Sequence, residues 1–163
     1  MSLDHRTSAL LEELADKVRG AAYEDIENRI FTINSIDAME QALAESPTLP
    51  IVLLAFESAR PQQTKSSQPG GASAAALRAP QLILKTFSVI VAVEDGVNEQ
   101  AAGQRVVALD FMDQVRSRVH GVTGVCGRPW RFANEGPLSE SMNGVILYAQ
   151  LWEIETVQGG NQS

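Results

Sequence analysis

From Ile83 the side chains alternate: Phe87, Val89, Val91 and Val93 fall on one face of an extended chain, and Thr86, Ser88, Ile90 and Ala92 on the other. A period of two built from β-branched and aromatic residues is the mark of a strand. Its second face is only mildly polar, which predicts a strand covered on both sides and set inside a sheet. Glu94-Asp95-Gly96 then supplies turn chemistry. From Ala101 to Val119 the period changes, with Ala108, Phe111, Met112, Val115 and Val119 at helical spacing. A helix there can lie back across the strand it follows. This strand–turn–helix unit, residues 82–121, is the frame against which the other segments must pack.

The rest of the chain suffices for one core. Its 163 residues suit a single domain, and a hydrophobic fraction of 44% is ordinary for a globular fold. No apolar run approaches the ~20 residues that cross a bilayer, so no membrane partner is expected. The first residues, with Asp4, His5, Arg6, Glu12 and Glu13, lack the basic-then-apolar layout of a signal peptide. Cys126 is the single cysteine and can close no internal disulfide, which fits a reducing cytoplasm. A net charge of −7 counts against general nucleic-acid binding, which carries a basic excess.

Taken in order, Thr7 or Ser8 can cap a first helix, with Leu10, Leu11, Leu14 and Val18 on its apolar face and Gly20 as its stop. Between Ile26 and Ile33 the apolar spacing fits a short strand or a continuation of that helix. Asn34 or Ser35 caps a short helix bearing Ile36, Met39 and Leu43, closed by Ser46-Pro47. The unbroken apolar run from Pro50 to Phe56 predicts a buried strand. Residues 58–80 are rich in proline, glycine, serine and alanine and read as a long flexible loop. That loop carries Arg60, Lys65 and Arg78, and is either a solvated insertion or an arm that orders on a partner. After the frame comes a glycine-rich connector, then a short strand with Trp130 and Phe132 that ends in a turn at Asn134-Glu135-Gly136. The last strand spans Met142 to Thr156, with Val145, Leu147, Ala149 and Leu151 facing one way and Ile146, Tyr148, Trp152 and Ile154 the other. Residues 158–163 read as a disordered tail. The expected fold is α+β: one domain over residues 1–157, with a mixed, mainly antiparallel sheet of four to five strands packed by two or three helices.

The search for chemistry yields little. Gly121, Gly124 and Gly127 follow a helix and precede Pro129, which is the wrong context for a phosphate loop. His5 sits at an end expected to be mobile, and His120 closes the long helix, where a cation complements the dipole. Nothing nominates a third group to orient a Cys126–His pair, and a zinc site needs more ligands than these. Asp110 and Asp113 share a helix face, and Arg116 is placed to pair with Asp113. No catalytic, cofactor-binding or metal site is expected. Trp130, Arg131 and Phe132 beside Arg128 form the densest aromatic–basic cluster. It is either an interface anchor or, the favoured reading, a short strand whose aromatics are core and whose arginines face water. The candidate interface residues are Arg60, Lys65, Arg78, Arg128 and Arg131.

The layout also resembles a known family. The helix Arg105-Val106-Val107-Ala108-Leu109-Asp110-Phe111-Met112-Asp113-Gln114-Val115-Arg116 follows a long strand and leads into Gly127-Arg128-Pro129-Trp130. The final strand reads Gly144-Val145-Ile146-Leu147-Tyr148-Ala149-Gln150-Leu151-Trp152-Glu153-Ile154. With the helix and strands before them, these segments resemble the tail terminator proteins of long-tailed bacteriophages, particularly the Mu-like prophage type. More distantly, they are similar to minor tail protein U of phage lambda. The resemblance implies a non-enzymatic structural protein without a cofactor. It would self-associate into a ring, commonly a hexamer, on the last ring of tail-tube protein, stop tube growth and present a surface to the head-completion protein. DNA would at most pass through the lumen. The implied locations are the bacterial cytoplasm during assembly and the virion tail. Two readings of other classes stand beside it. A small-ligand or regulatory α+β binding module predicts an apolar pocket with convergent polar groups, and a Cys126-dependent enzyme predicts a thiol of depressed pKa.

Overall fold

Strands spread along the chain from Ile30 to Gln158 join in one open sheet with helices against it. The computed structural model describes residues 3–21, 26, 29–45, 49–62, 81–138 and 144–158. Among them are three helices, α1 (Thr7–Ala21), α2 (Ile36–Glu45) and α3 (Glu99–Val119). The five strands are β1 (Ile30–Ile33), β2 (Ile51–Pro61), β3 (Gln81–Glu94), β4 (Arg131–Pro137) and β5 (Val145–Gln158), in the order β1-β2-β3-β5-β4. Only β1 and β2 pair in parallel; the other three pairings are antiparallel. This is the α+β, mixed and mainly antiparallel arrangement that the periodicities predict.

β3 is the central strand, paired along its length with β2 on one side and β5 on the other. Its two faces divide as their alternation requires. Phe87, Val89, Val91 and Val93 enter the larger core with Leu10, Leu14 and Val18 of α1 and Phe111, Met112 and Val115 of α3. Trp130 and Trp152, both fully buried, complete that core. Burying side chains of this size stabilises by about 1.5–3 kcal/mol each. On the opposite face Ile90 and Ala92 join Ile51, Leu53, Val145 and Leu147, with Met39 and Leu43 of α2 packed against them. Among the described residues that second layer covers the end of the sheet where α2 lies.

Local chemistry sets the helix ends. The Asn98 side chain accepts from Ala101 N–H at 2.8 Å, capping α3, and Arg116 and Arg118 in its last turn complement the dipole. Ser35 Oγ accepts from Ala38 N–H at the start of α2. At the start of α1, by contrast, Thr7 is already helical and Arg6 O accepts from Leu10 N–H. That helix also runs through Gly20 to Ala21, whose side chain is buried. Packing of the last turn outweighs the propensity of a glycine to end it.

Four boundaries depart from the sequence expectations, and pairing is the reason in each. Among the described residues between Ile26 and Ile33, Ile26 is helical and Ile30–Ile33 is strand, held in parallel to residues 52–55. β2 continues past Phe56 to Pro61, so Ser58, Ala59 and Arg60 are ladder residues opposite Thr86, Lys85 and Leu84 rather than the start of a loop. Asn134-Glu135-Gly136 lies inside β4 and not in a turn, with a bulge between Phe132 and Asn134 taking up the irregularity. β5 begins at Val145 and extends to Gln158, opposite Gln81. The remainder of the expected loop, with Lys65 and Arg78, Ser46-Pro47, and the tail beyond Gln158 lie outside the described residues.

Candidate interaction surface

The two helix-packed regions leave one half of one sheet face uncovered by any described helix. Register fixes what stands there. Arg60 is opposite Leu84, Leu84 opposite Glu155, Ser58 opposite Thr86, and both Thr86 and Arg131 opposite Glu153. All these side chains share the face on which Ile90 and Ala92 lie further along β3, because residues of one parity point the same way. Arg128, from the connector, and Arg131, from β4, both reach Glu155, at 3.7 and 3.8 Å. Three of the five expected interface arginines and lysines, Arg60, Arg128 and Arg131, are thus brought to one surface. The side chains of Arg128 and Arg131 are 46% and 56% exposed against 14% for Glu155. Pairs this exposed and this long contribute little stability, so the guanidinium groups retain donors for a partner.

The favoured reading of the Trp130–Phe132 cluster agrees with this geometry. Trp130 is fully buried and donates from Nε1 to Glu13 at 2.7 Å, while Arg131 between the aromatics is exposed. Phe132 packs edge-on against Trp152 and under the guanidinium of Arg116. A polar chain runs inward from there. Arg116, which also pairs with Asp113, donates to Glu135 at 3.0 and 3.1 Å. Gln150 Nε2 donates to Glu135 at 2.7 Å and to Met112 O at 3.0 Å, and Gln150 Oε1 accepts from Trp152 Nε1 at 2.8 Å. Gln150, fully buried, satisfies three partners and fixes the register of β4, β5 and α3 together. Sequence reasoning passed over it; a polar residue in phase with Tyr148 and Trp152 was the available signal.

The three groups considered for chemistry take structural roles. His120 Nδ1 accepts from Phe132 N–H at 3.1 Å, which ties the end of α3 to the start of β4. His5 is not at a mobile end: its Nδ1 accepts from Val157 N–H at 3.0 Å and its carbonyl accepts from Lys85 Nζ at 2.7 Å. With Asp4 N–H donating to Val125 O, these bonds lay residues 3–6 across the ends of β3 and β5. Burial lowers the Lys85 pKa. Cys126 is buried, with Sγ 3.4 Å from Glu155 O, and burial pushes its thiol up. That is opposite to the depressed pKa of a reactive cysteine. Among the described residues no cluster of His, Cys, Asp or Glu has the geometry to hold a metal ion, and no helix is long and apolar enough to cross a membrane.

On the far side of the molecule, α3 turns a different surface outward. Val106 is 59% and Leu109 46% exposed, and with Asp110 and Asp113 they follow helical spacing along one stripe. The protein therefore presents a sheet half on which arginines stand among Glu153 and Glu155 on one side, and an exposed helix stripe of Val106, Leu109, Asp110 and Asp113 on the other. Comparison of the chain with protein-family models and with curated proteins finds no match to either.

Proposed function

We propose that this chain is a ring-forming structural subunit of the tail terminator type, acting at the end of a phage or prophage tail tube rather than as an enzyme. The observation that carries this reading is the pair of unlike surfaces on opposite sides of one rigid sheet. Head-to-tail contacts between non-identical surfaces generate closed rings when the rotation closes. Here the arginines at 60, 128 and 131 would meet the Val106–Leu109–Asp110–Asp113 stripe of the next subunit, placing charge against charge and apolar area at the centre of the contact. The order of strands and helices that resembles the terminator family supports the same assignment. A net charge of −7 suits a lumen through which DNA slides without adhering. The implied partners are other copies of the chain, tail-tube protein and a head-completion protein, in the bacterial cytoplasm and then in the virion tail.

The test is native mass, measured alone and with tail-tube subunits, together with tube lengths by negative-stain electron microscopy. The reading predicts added density at one tube end and a narrow length distribution. Tubes that grow equally long with and without the chain would refute it.

A further inference from the structure

The two edges of the sheet are finished differently. β4 carries Arg131, Glu135 and Pro137 and is broken by a bulge, which are the devices that keep an edge from pairing with another strand. β1 is Ile30-Phe31-Thr32-Ile33, without charge or proline and in regular register with β2. Val52 N–H donates to Arg29 O at 2.9 Å. Bonding residues alternate along a parallel pair, so Phe31 and Ile33 turn their backbone groups to β2, while Ile30 and Thr32 turn theirs outward. Among the described residues no strand pairs with that outer side, and Phe31 is 41% exposed.

The ground on either side of this edge is equally specific. Thr32 points to the α1 face and, with Leu11, Ala15, Glu12, Asp16 and Arg19, lines a depression of about 300 Å³. Arg19 pairs with Asp16, so Glu12 is the acid there without an ion pair among the described residues. An apolar floor with an acidic rim suits the aliphatic stem and charged head of lysine or arginine. Phe31 and Ile33 point to the opposite face, where the ring of Phe31, exposed at the edge itself, offers an apolar flank. Alternate residues of an added strand would meet these two environments in turn.

We propose that the outer edge of β1 docks an extended segment of a partner protein whose residues alternate basic and apolar, added to the sheet by backbone pairing. The proposal rests on this edge and not on the ring assignment. Its test uses the full chain and a fluorescent synthetic peptide of alternating lysine and valine, read by anisotropy. A block-ordered isomer of identical charge is expected to bind about tenfold more weakly, which separates strand addition from general attraction to an acidic protein. N-methylating the peptide amides on one edge abolishes binding. Thr32→Pro, which removes an outward donor at an edge where proline is tolerated, weakens it about tenfold, and Glu12→Gln weakens it and flattens its salt dependence. Should Thr32→Pro fail to fold, the N-methylated peptide on the native chain decides the matter. No binding, equal binding of the block isomer, or full binding of the N-methylated peptide overturns the proposal.

Discussion

At Gly124 a single missing carbon holds the connector against the core. A Cβ there would stand 2.8 Å from Glu13 Oε1, 2.8 Å from Ile154 Cδ1 and 3.0 Å from Trp130 Nε1. Gly124→Ala must push apart the Glu13–Trp130 bond or the Ile154 packing, and should lower stability by about 1–3 kcal/mol in thermal melts. Gln150→Leu leaves the Trp152 Nε1–H without its acceptor and removes the Nε2 donor to Met112 O and Glu135, the latter keeping its bonds from Arg116. Unpaired buried polar groups make this cost about 1–3 kcal/mol in urea unfolding. Asp4 adds a pH dependence. Its hydrogen bonds to Arg6 lower its pKa from 3.8 to about 2. A carboxylate lowered in the folded state lends stability that is present above 3.8 and lost as pH falls through about 2. The thermal midpoints of the native chain and Asp4→Asn should therefore differ at neutral pH and converge by about pH 2.

Among the elements, β3 and α3 behave as their periodicities require, because each buries a continuous face and carries its own end signals. Asn98→Ala removes the cap on α3 and should cost about 1 kcal/mol, measurable by thermal unfolding. The shorter elements yield to their neighbours. Asn134, Glu135 and Gly136 have turn propensity, yet pairing with residues 149–151 of β5 draws them into β4. Ser58 to Arg60 look like loop because their side chains are small or polar, yet β3 holds their backbone in a ladder. A ladder bond is indifferent to side-chain identity, so the alternation that marks a strand vanishes where neither face is packed by a helix.

For the whole molecule, the decisive property is the difference between its two outer surfaces. Leu109 is 46% exposed and makes no part of the core clusters, so Leu109→Asp should leave the thermal midpoint within about 2 °C. In the ring assignment the same substitution places an acid at the centre of the contact, and native mass in the presence of tube protein should fall to that of the single subunit. Arg131→Glu on the opposite surface should act likewise, and combining Arg131→Glu with a basic substitution at Asp110 should restore assembly in part.

The sequence by itself determined the α+β class, the central strand with its two buried faces, the long helix and its buried stripe, and the burial of Trp130. Those are properties of local periodicity, which records which side of an element is apolar. It did not carry the contacts that join distant positions: Glu13 with Trp130, His5 with Val157, or Arg128 and Arg131 with Glu155. Lys65 and Arg78 were grouped with Arg60 by composition alone, whereas strand register placed Arg60 near Arg128 and Arg131. Side-chain pattern fixes the face of an element, but only the packed sheet decides which faces are covered. The half of that sheet left uncovered by the described helices, and the edge of β1 left unpaired among the described residues, are therefore products of tertiary structure.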